Sequence, residues 1–248
     1  MAPERRDADP AGIERRVIAL PDDLRAEARA EGEPARRIIG HAAAFDRWTT
    51  LYEGDSLVWR EVVRPGAFRR AIAERQDVRA LFNHDSNYVL GRTASGTLQL
   101  SEDAVGLLSD TDPPDTQTIR DLVLAPIARR DITQMSFAFT VRRGPEVTTT
   151  RDGVTVLENG GERITRRFDG PRMYEDRELL DVDLFDVSPV TYPAYENTDV
   201  ALRERGALRD AEIRERVLAD RNVRKSSRQR LMHMGLRLAD ARGRGGCR

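Results

Sequence analysis

Residues 131–141 read DITQMSFAFTV and show the period-two pattern of a β-strand. The apolar positions of the pattern are Met135, Phe137, Phe139 and Val141. Successive side chains of a strand point to opposite faces, so we expect Ser136 on the face opposite the aromatic rings. The segment is therefore predicted to be a core strand that carries a hydroxyl on its other side.

A histidine segment lies upstream of this strand. The chain has three histidines, and His84 stands between two strand-like runs. Residues 78–82 are mostly apolar and end at Asn83-His84-Asp85, a cluster of turn-forming residues. This arrangement predicts an imidazole at the end of a strand, where a rigid element fixes its position. On this segment alone, a solvated loop histidine and a functional base fit the sequence equally well.

Residues 180–190 form the last predicted core strand and carry several carboxylates. Strict alternation places Asp186 on the apolar face, where a carboxylate needs a cationic partner. Asp183 is the alternative, because strand register read from sequence can slip by one residue. A hydroxyl nucleophile needs a base, and the base needs a group that orients it. Ser136, His84 and Asp186 are accordingly our candidates for nucleophilic acyl transfer.

The composition predicts a folded middle with polar ends. Charged residues make up 33% of the 248 residues and mean hydropathy is −0.58, which is too polar for a uniformly compact fold. We expect a flexible lead over residues 1–36, one domain over 37–200 and a basic helical or disordered tail over 201–248. Within the lead, residues 21–29 are predicted to form a short exposed helix. Short strands separated by Gly, Ser and Asp predict a barrel or sandwich for the middle.

Several classes of function find no support in the sequence. Cys247 is the single cysteine, so neither a disulfide framework nor a cysteine zinc site is expected. The chain lacks a His-Glu-x-x-His motif, a phosphate-binding glycine loop and a Gly-x-Ser-x-Gly elbow. No apolar run approaches the roughly 18 residues of a membrane span. We expect a soluble cytoplasmic protein without metal, cofactor or membrane.

The remainder of the predicted domain carries a helix and a hairpin. Residues 116–129 have helical spacing, with Thr116 or Asp115 as the candidate cap and Pro126 expected to kink or end the helix. In the polar region that follows, an Asp152-Gly153 turn predicts a surface hairpin. His41 lies among small and apolar residues and is predicted to be a structural histidine.

The tail has its own charge pattern. From Arg203 to the end, basic residues outnumber acidic ones, with clusters over residues 224–230 and 242–246. Such clusters can neutralise phosphates, but no interleaved aromatic residues are available to stack bases. A nucleic-acid-binding module acting through the tail is therefore an alternative function, and nucleic acid is not expected as the main partner.

Five motifs in this order resemble those of the prohead maturation proteases of tailed bacteriophages, over residues 38 to 200. They are RPGAF at 64–68, LFNHD at 81–85, LGR and GTL at 90–98, DI and MSFAF at 131–139, and DVSPVTYPAY at 186–195. The resemblance implies an α+β fold similar to the herpesvirus assemblins, a mostly β barrel wrapped by helices. It also implies a serine endopeptidase that cleaves capsid scaffold segments, and itself, during prohead maturation.

The resemblance also implies partners and site residues. The expected substrate is a scaffold segment of the major capsid protein or a separate scaffold protein, inside the prohead in the bacterial cytoplasm or from a prophage. A homo-oligomer is compatible with this role. The motif positions of the nucleophile, the base and the third member are Ser136, His84 and Asp186. By analogy with the assemblins, a backbone amide and an arginine serve the oxyanion, with Arg92 and Arg129 as candidates.

The family commonly has glutamate at the position of Asp186 and glycine at that of Arg130. A capsid-assembly protein that keeps the fold without the chemistry remains the other alternative, and it is the harder one to separate because a silent relative can retain both Ser136 and His84.

Overall fold

The computed structural model describes residues 12–18, 23–28, 35–192 and 204–219. These residues are mostly β-strand with few helices, so the predicted α+β class with a predominance of strand is confirmed. The strands of the first half are β1 (Glu14–Ile18), β2 (Arg25–Ala28), β3 (Ala35–Ala44), β4 (Thr49–Glu53), β5 (Leu57–Val63), β6 (Arg79–Phe82) and β7 (Asp85–Arg92). Those that follow are β8 (Leu98–Glu102), β9 (Gly106–Thr111), β10 (Gln134–Val141), β11 (Arg143–Arg151), β12 (Val154–Gly160), β13 (Glu162–Asp169), β14 (Arg172–Leu179) and β15 (Val182–Val190).

The described strands form three open sheets. Their orders are β1-β10-β15-β6-β7, β11-β12-β13-β14-β5-β4 and β2-β3-β9-β8. No closed barrel is found in the part of the chain that the structure describes, so the barrel that the resemblance implies is not confirmed. Residues 143–179 form the four strands β11 to β14, which pair with one another in sequence, and β14 pairs in parallel with β5, so these strands extend the sheet that contains β4 and β5. The kinship with the assemblin fold stays a prediction.

The main core contains the aromatic face of β10, as the alternation predicts. Phe137 and Phe139 are fully buried and their rings stack with centroids 5.0 Å apart. Phe68 meets Phe137 edge to face at 5.5 Å, and it immediately precedes the short helix α1 (Arg69–Ala73). This aromatic packing fixes the orientation of β10 and hence the direction of Ser136 on its opposite face.

The lead is not loosely attached where the structure describes it. β1 pairs antiparallel with β10, and β2 pairs antiparallel with β3. The predicted exposed helix over residues 21–29 is wrong, because Arg25–Ala28 is a strand. Both segments lie at sheet edges, where a partner strand distant in sequence supplies the backbone hydrogen bonds. A local pattern does not reveal such a partner.

The helix over residues 117–128 begins as predicted and changes its winding before the proline. Thr116 accepts a hydrogen bond from the Ile119 backbone N–H at 3.3 Å and so caps the helix. Arg120–Leu124 is a π-helical turn, and Ala125–Ala128 returns to α-helix with Pro126 in its first turn. The helix therefore does not end before Pro126, and the irregularity at that point is the π-helical turn. Widening the preceding turn accommodates the missing proline N–H.

Residues 204–219 form a helix that packs on the sheet containing β5 and β14. Ile213 packs against the cluster around Trp59, and the Asp210 carboxylate accepts a hydrogen bond from the Ser56 N–H at 2.5 Å. The basic clusters at 224–230 and 242–246 lie outside the described residues. Among the residues described, no helix is long and apolar enough to cross a membrane.

The predicted hairpin is confirmed. Asp152 and Gly153 connect β11 to β12 with φ of 51° and 78°, the left-handed pair that a two-residue hairpin turn favours.

His41 has the hydrogen-bonding partners of a structural histidine. Its Nδ1 and Nε2 atoms each lie 2.9 Å from a carboxylate oxygen, of Asp23 and Asp103 respectively.

Candidate active site

Ser136 lies in the middle of β10 and is completely buried. Its register partners are Val17 on β1 and Ser188 on β15, so strands flank it on both sides. β10 is held by ladder bonds on both edges and by aromatic packing beneath. The Ser136 hydroxyl therefore projects from a strand that is paired on both sides.

His84 is presented by a two-residue turn between β6 and β7. Asn83 and His84 have φ of 55° and 57°, as in the type I′ turns that favour Asn followed by Gly. A side chain other than glycine is strained in this conformation, so the surrounding structure must hold it. Asn83 supplies the anchor, because its Oδ1 accepts hydrogen bonds from Thr191 N–H at 2.8 Å and Thr191 O–H at 2.9 Å.

Asp186 faces the site because β15 contains a bulge. Asp186 pairs with Ala138, but Phe139 pairs with Leu184, which leaves Phe185 without a register partner. The extra residue reverses the alternation from that point. The predicted apolar face for Asp186 is therefore wrong, since Asp186 shares the face of Ser136.

These three side chains form one hydrogen-bonded series. His84 Nδ1 lies 2.5 Å from Asp186 Oδ1, and His84 Nε2 lies 2.6 Å from Ser136 Oγ. With Nδ1–H donating to the carboxylate, Nε2 is free to accept the serine proton. Asp186 and the imidazole are each about a tenth exposed, so the charge that develops on the ring is shielded from water. The arrangement has the geometry for general-base activation of a hydroxyl.

A family model described as caudovirus prohead serine protease matches residues 23–209. The chain belongs to this family. Searches of the curated proteins and of the solved structures find no match. A prohead serine protease needs a serine with a neighbouring base, and Ser136 with His84 meets that requirement in the structure.

The alternative acid, Asp183, has other partners. Its carboxylate accepts hydrogen bonds from Arg70 Nη2 at 2.7 Å and Gln76 Nε2 at 2.6 Å. Burial raises the pKa of Asp183, but the hydrogen bonds from Arg70 and Gln76 outweigh it and leave the pKa lowered. The structure thus separates the two carboxylates of β15, with Asp186 at the histidine and Asp183 in an ion pair.

The two oxyanion candidates also meet carboxylates. Arg92 Nε and Nη2 each lie 2.6 Å from Asp77 oxygens, and Arg129 lies 3.2 Å from Asp131 with its side chain 77% exposed. In the contacts described, neither arginine joins Ser136. An oxyanion role for Arg92 or Arg129 stays a prediction.

Ser188 is a site residue to which the sequence reasoning gave no role. Its hydroxyl donates to Asp186 Oδ1 at 3.0 Å, and its oxygen accepts the His84 backbone N–H at 3.3 Å. Ser188 therefore links the acid to the strained turn that carries the base. Its position two residues after Asp186 on a strand was the available signal, because such residues share a face.

Position 130 has the backbone conformation that glycine favours. Arg130 has φ of 69°, so the loop before β10 has a left-handed residue at this position although the side chain is not glycine.

Across residues 12–18, 23–28, 35–192 and 204–219, no group of three or more His, Cys, Asp or Glu side chains is arranged to hold a metal ion.

Proposed function

We propose that this member of the prohead serine protease family is an active serine endopeptidase that uses Ser136, His84 and Asp186. The observation that carries the proposal is the unbroken series from carboxylate to imidazole to hydroxyl, at 2.5 and 2.6 Å. Each contact is within hydrogen-bond reach. The assignment of Asp186 as the acid is supported because the alternative, Asp183, forms an ion pair with Arg70 instead of contacting His84.

In the proposed mechanism, His84 Nε2 takes the Ser136 proton as Oγ attacks the scissile carbonyl carbon. Asp186 holds the imidazole tautomer and stabilises the imidazolium that forms. His84 then gives the proton to the leaving amine, and water hydrolyses the acyl-enzyme with His84 again acting as base. Ser188 and Asn83 position the pair, because one bonds the acid and the other anchors the turn.

We infer from the family that the natural substrate is a capsid scaffold segment, either part of the major capsid protein or a separate scaffold protein. The site of action would be the prohead interior in the bacterial cytoplasm. Self-cleavage also belongs to the proposal, since protease and scaffold are confined together. A protease that acts on an assembly scaffold needs such confinement, because premature cleavage would remove the scaffold.

The experiment is co-expression with the cognate capsid protein, followed by intact mass spectrometry. Wild type is compared with Ser136→Ala, and Ser109→Ala, a buried serine on β9, is the matched control. We expect discrete truncation with wild type and control, and none with Ser136→Ala. Truncation that persists with Ser136→Ala would contradict the proposal.

A further inference from the structure

The N-terminal strand β1 lies directly against the nucleophile. Val17 is the register partner of Ser136 in the antiparallel pair of β1 with β10. The Ser136 Oγ atom lies 3.0 Å from the backbone carbonyl oxygen of Arg16. The carbonyl carbon of Arg16 is about 1.2 Å from that oxygen. A peptide carbonyl of the chain itself is thus next to the hydroxyl that His84 activates.

The side chain of Arg16 is held in a buried ion cluster that also contains Arg177, whose guanidinium donates to Glu14 and Glu61 at 2.8 Å. Arg16 is 7% exposed, and its guanidinium donates to Glu61 at 2.6 and 3.1 Å and to Glu14 at 2.6 Å. It also lies over the Phe139 ring, 5.6 Å from the centroid. Glu61 is 4% exposed and belongs to β5, in a different sheet from β1 and β10.

An ordinary edge strand needs only backbone pairing with its neighbour. β1 has that pairing, and in addition a carbonyl oxygen at the nucleophile and a charged side chain enclosed by a second sheet. Addition of an extended peptide to a sheet edge is a recurring way to bind peptides, with the backbone giving affinity and a side-chain pocket giving specificity. β1 has both features at the position where the chemistry takes place.

We propose that β1 occupies the substrate groove of the enzyme and presents the Arg16–Val17 bond as an internal substrate, with Glu61 selecting a basic residue. The inference rests on the proposed function, since it needs Ser136 to be a nucleophile. Until the bond is cut, β1 covers the completely buried Ser136 and keeps external polypeptides from it. Release of residues 1–16 removes Glu14 together with Arg16, and Glu61, which Arg177 also contacts at 2.8 Å, then meets the basic residue of a scaffold substrate.

The proposed step balances with water as the only co-reactant. Ser136 Oγ bonds to the Arg16 carbonyl carbon while its proton passes to His84. The Arg16–Val17 C–N bond breaks, and His84 delivers the proton to the Val17 nitrogen. Water then attacks the ester, which restores the Ser136 hydroxyl and leaves Arg16 with a carboxylate. The products are residues 1–16 and a chain that begins at Val17.

The test uses full-length variants, followed by intact mass and N-terminal sequencing over time. Arg16→Glu places a like charge beside Glu14 and Glu61, whereas Arg25→Glu makes the same change at an exposed arginine of β2 and serves as control. Arg16→Gln is measured beside them, since it removes the charge without adding repulsion. Circular dichroism establishes that each variant is folded.

We expect wild type and Arg25→Glu to yield a chain beginning at Val17, and Ser136→Ala to stay full length. Cleavage at this bond falls by about tenfold or more in Arg16→Gln and further in Arg16→Glu, because a buried ion pair that loses one partner is strongly destabilised. In parallel, each variant is treated with diisopropyl fluorophosphate, which labels an activated serine. Wild type with an intact N-terminus is expected to label about tenfold or more slowly than Arg16→Glu, whose β1 is displaced.

The two hypotheses fail in different ways. An uncut wild-type chain that labels at Ser136 as fast as Arg16→Glu, or a wild-type chain that is cut at another bond, overturns the inference and leaves the protease intact. Absence of labelling and of cleavage in every folded variant overturns the proposed function itself.

Discussion

His84 combines a strained backbone with two short side-chain contacts. Its φ of 57° lies in the left-handed region, yet its ring bonds Asp186 on one side and Ser136 on the other. Strain of this kind costs of order 1–3 kcal/mol and persists only where the surroundings over-determine it. The contacts from Asn83 and Ser188 provide that restraint. The geometry of the base is thus set by its neighbours more than by local preference.

The identity of the acid can be tested on one strand. Asp186→Asn keeps the shape but favours the wrong histidine tautomer, so we expect kcat to fall by about 10³–10⁴-fold. Asp183→Asn changes the same group three residues earlier, loses the Arg70 ion pair and should retain activity within about tenfold, with a lower Tm. Steady-state cleavage of a scaffold peptide measures both. A larger loss in Asp183→Asn would reverse the assignment.

The sequence identified the candidate site residues, but it did not correctly predict the face of the strand on which each of them lies. Alternation correctly placed Ser136 opposite the buried rings of Phe137 and Phe139. It misplaced Asp186, because the bulge at Phe185 depends on pairing with β10, a strand distant in the sequence. Such a bulge leaves no local signal in a run of alternating residues.

The turn between β6 and β7 is the element that delivers the base. Asn83 contributes in two ways, since it tolerates a left-handed backbone and its Oδ1 receives both Thr191 donors. Conformational preference and tertiary hydrogen bonding are therefore combined in one residue.

Two substitutions at position 83 separate these contributions. Asn83→Gly keeps the left-handed backbone but loses the Thr191 bonds, whereas Asn83→Ala loses the bonds and adds a steric cost of about 1–2 kcal/mol. We expect both to lower kcat, and Asn83→Ala to lower Tm more. Thermal unfolding beside peptide cleavage checks this. Equal Tm values for the two variants would contradict a strained turn.

His41 connects β3 to segments on either side of it. Burial lowers the pKa of His41, but hydrogen bonds to Asp103 and Asp23 outweigh burial and leave the pKa raised above 6.5. Protonation therefore favours the folded state, fully below the unfolded pKa of 6.5, and this stability is lost as pH rises through the raised pKa. The connection should weaken as pH rises through the raised pKa of His41.

The expected result is a Tm that falls as pH rises from 6.5 through the raised pKa, with a shallower fall in His41→Asn. His84 is present in both chains, so the difference between their pH profiles isolates His41. Differential scanning calorimetry across this range provides the measurement. Parallel profiles would show that His41 is not the titrating group.

Elements were predictable where one strand's pattern was sufficient. β10 and the Asp152-Gly153 hairpin followed from alternation and turn chemistry. The strands β1 and β2 could not be predicted in this way, because they are stabilised by pairing with β10 and β3. In β1, burial of Arg16 against Glu61 also contributes. From sequence alone, a charged segment is predicted to be exposed to solvent, because the buried group that pairs with its charge is distant in the sequence.

The candidate active site lies in the sheet that contains β10 and β15, whereas the helix over residues 204–219 packs on the sheet that contains β5 and β14. The helix over residues 204–219 is joined to the second sheet by Arg209, whose guanidinium meets the buried Glu175. Burial raises the pKa of Glu175, but the pairs with Arg209 and Arg166 outweigh it and keep the pKa lowered. The first part of the predicted tail therefore belongs to the folded body.

Because the helix over residues 204–219 is packed on the second sheet, the role of the tail is best tested by removing only the residues that follow it. Removing residues 220–248 keeps the packed helix and deletes the basic clusters at 224–230 and 242–246. We expect the truncated chain to keep its activity but to lose incorporation into proheads, because the clusters would no longer contact acidic scaffold surface. Purified proheads analysed by quantitative mass spectrometry give the result. Normal incorporation would assign the entry signal to another region.

The most direct test of the central claim is to locate the diisopropyl fluorophosphate adduct by peptide mass spectrometry on the full-length chain. A triad serine reacts because its base removes the proton, so we expect one diisopropylphosphorylated residue, Ser136, and loss of this adduct in His84→Ala. Labelling of a different serine, or equal labelling of Ser136 without His84, would contradict the triad.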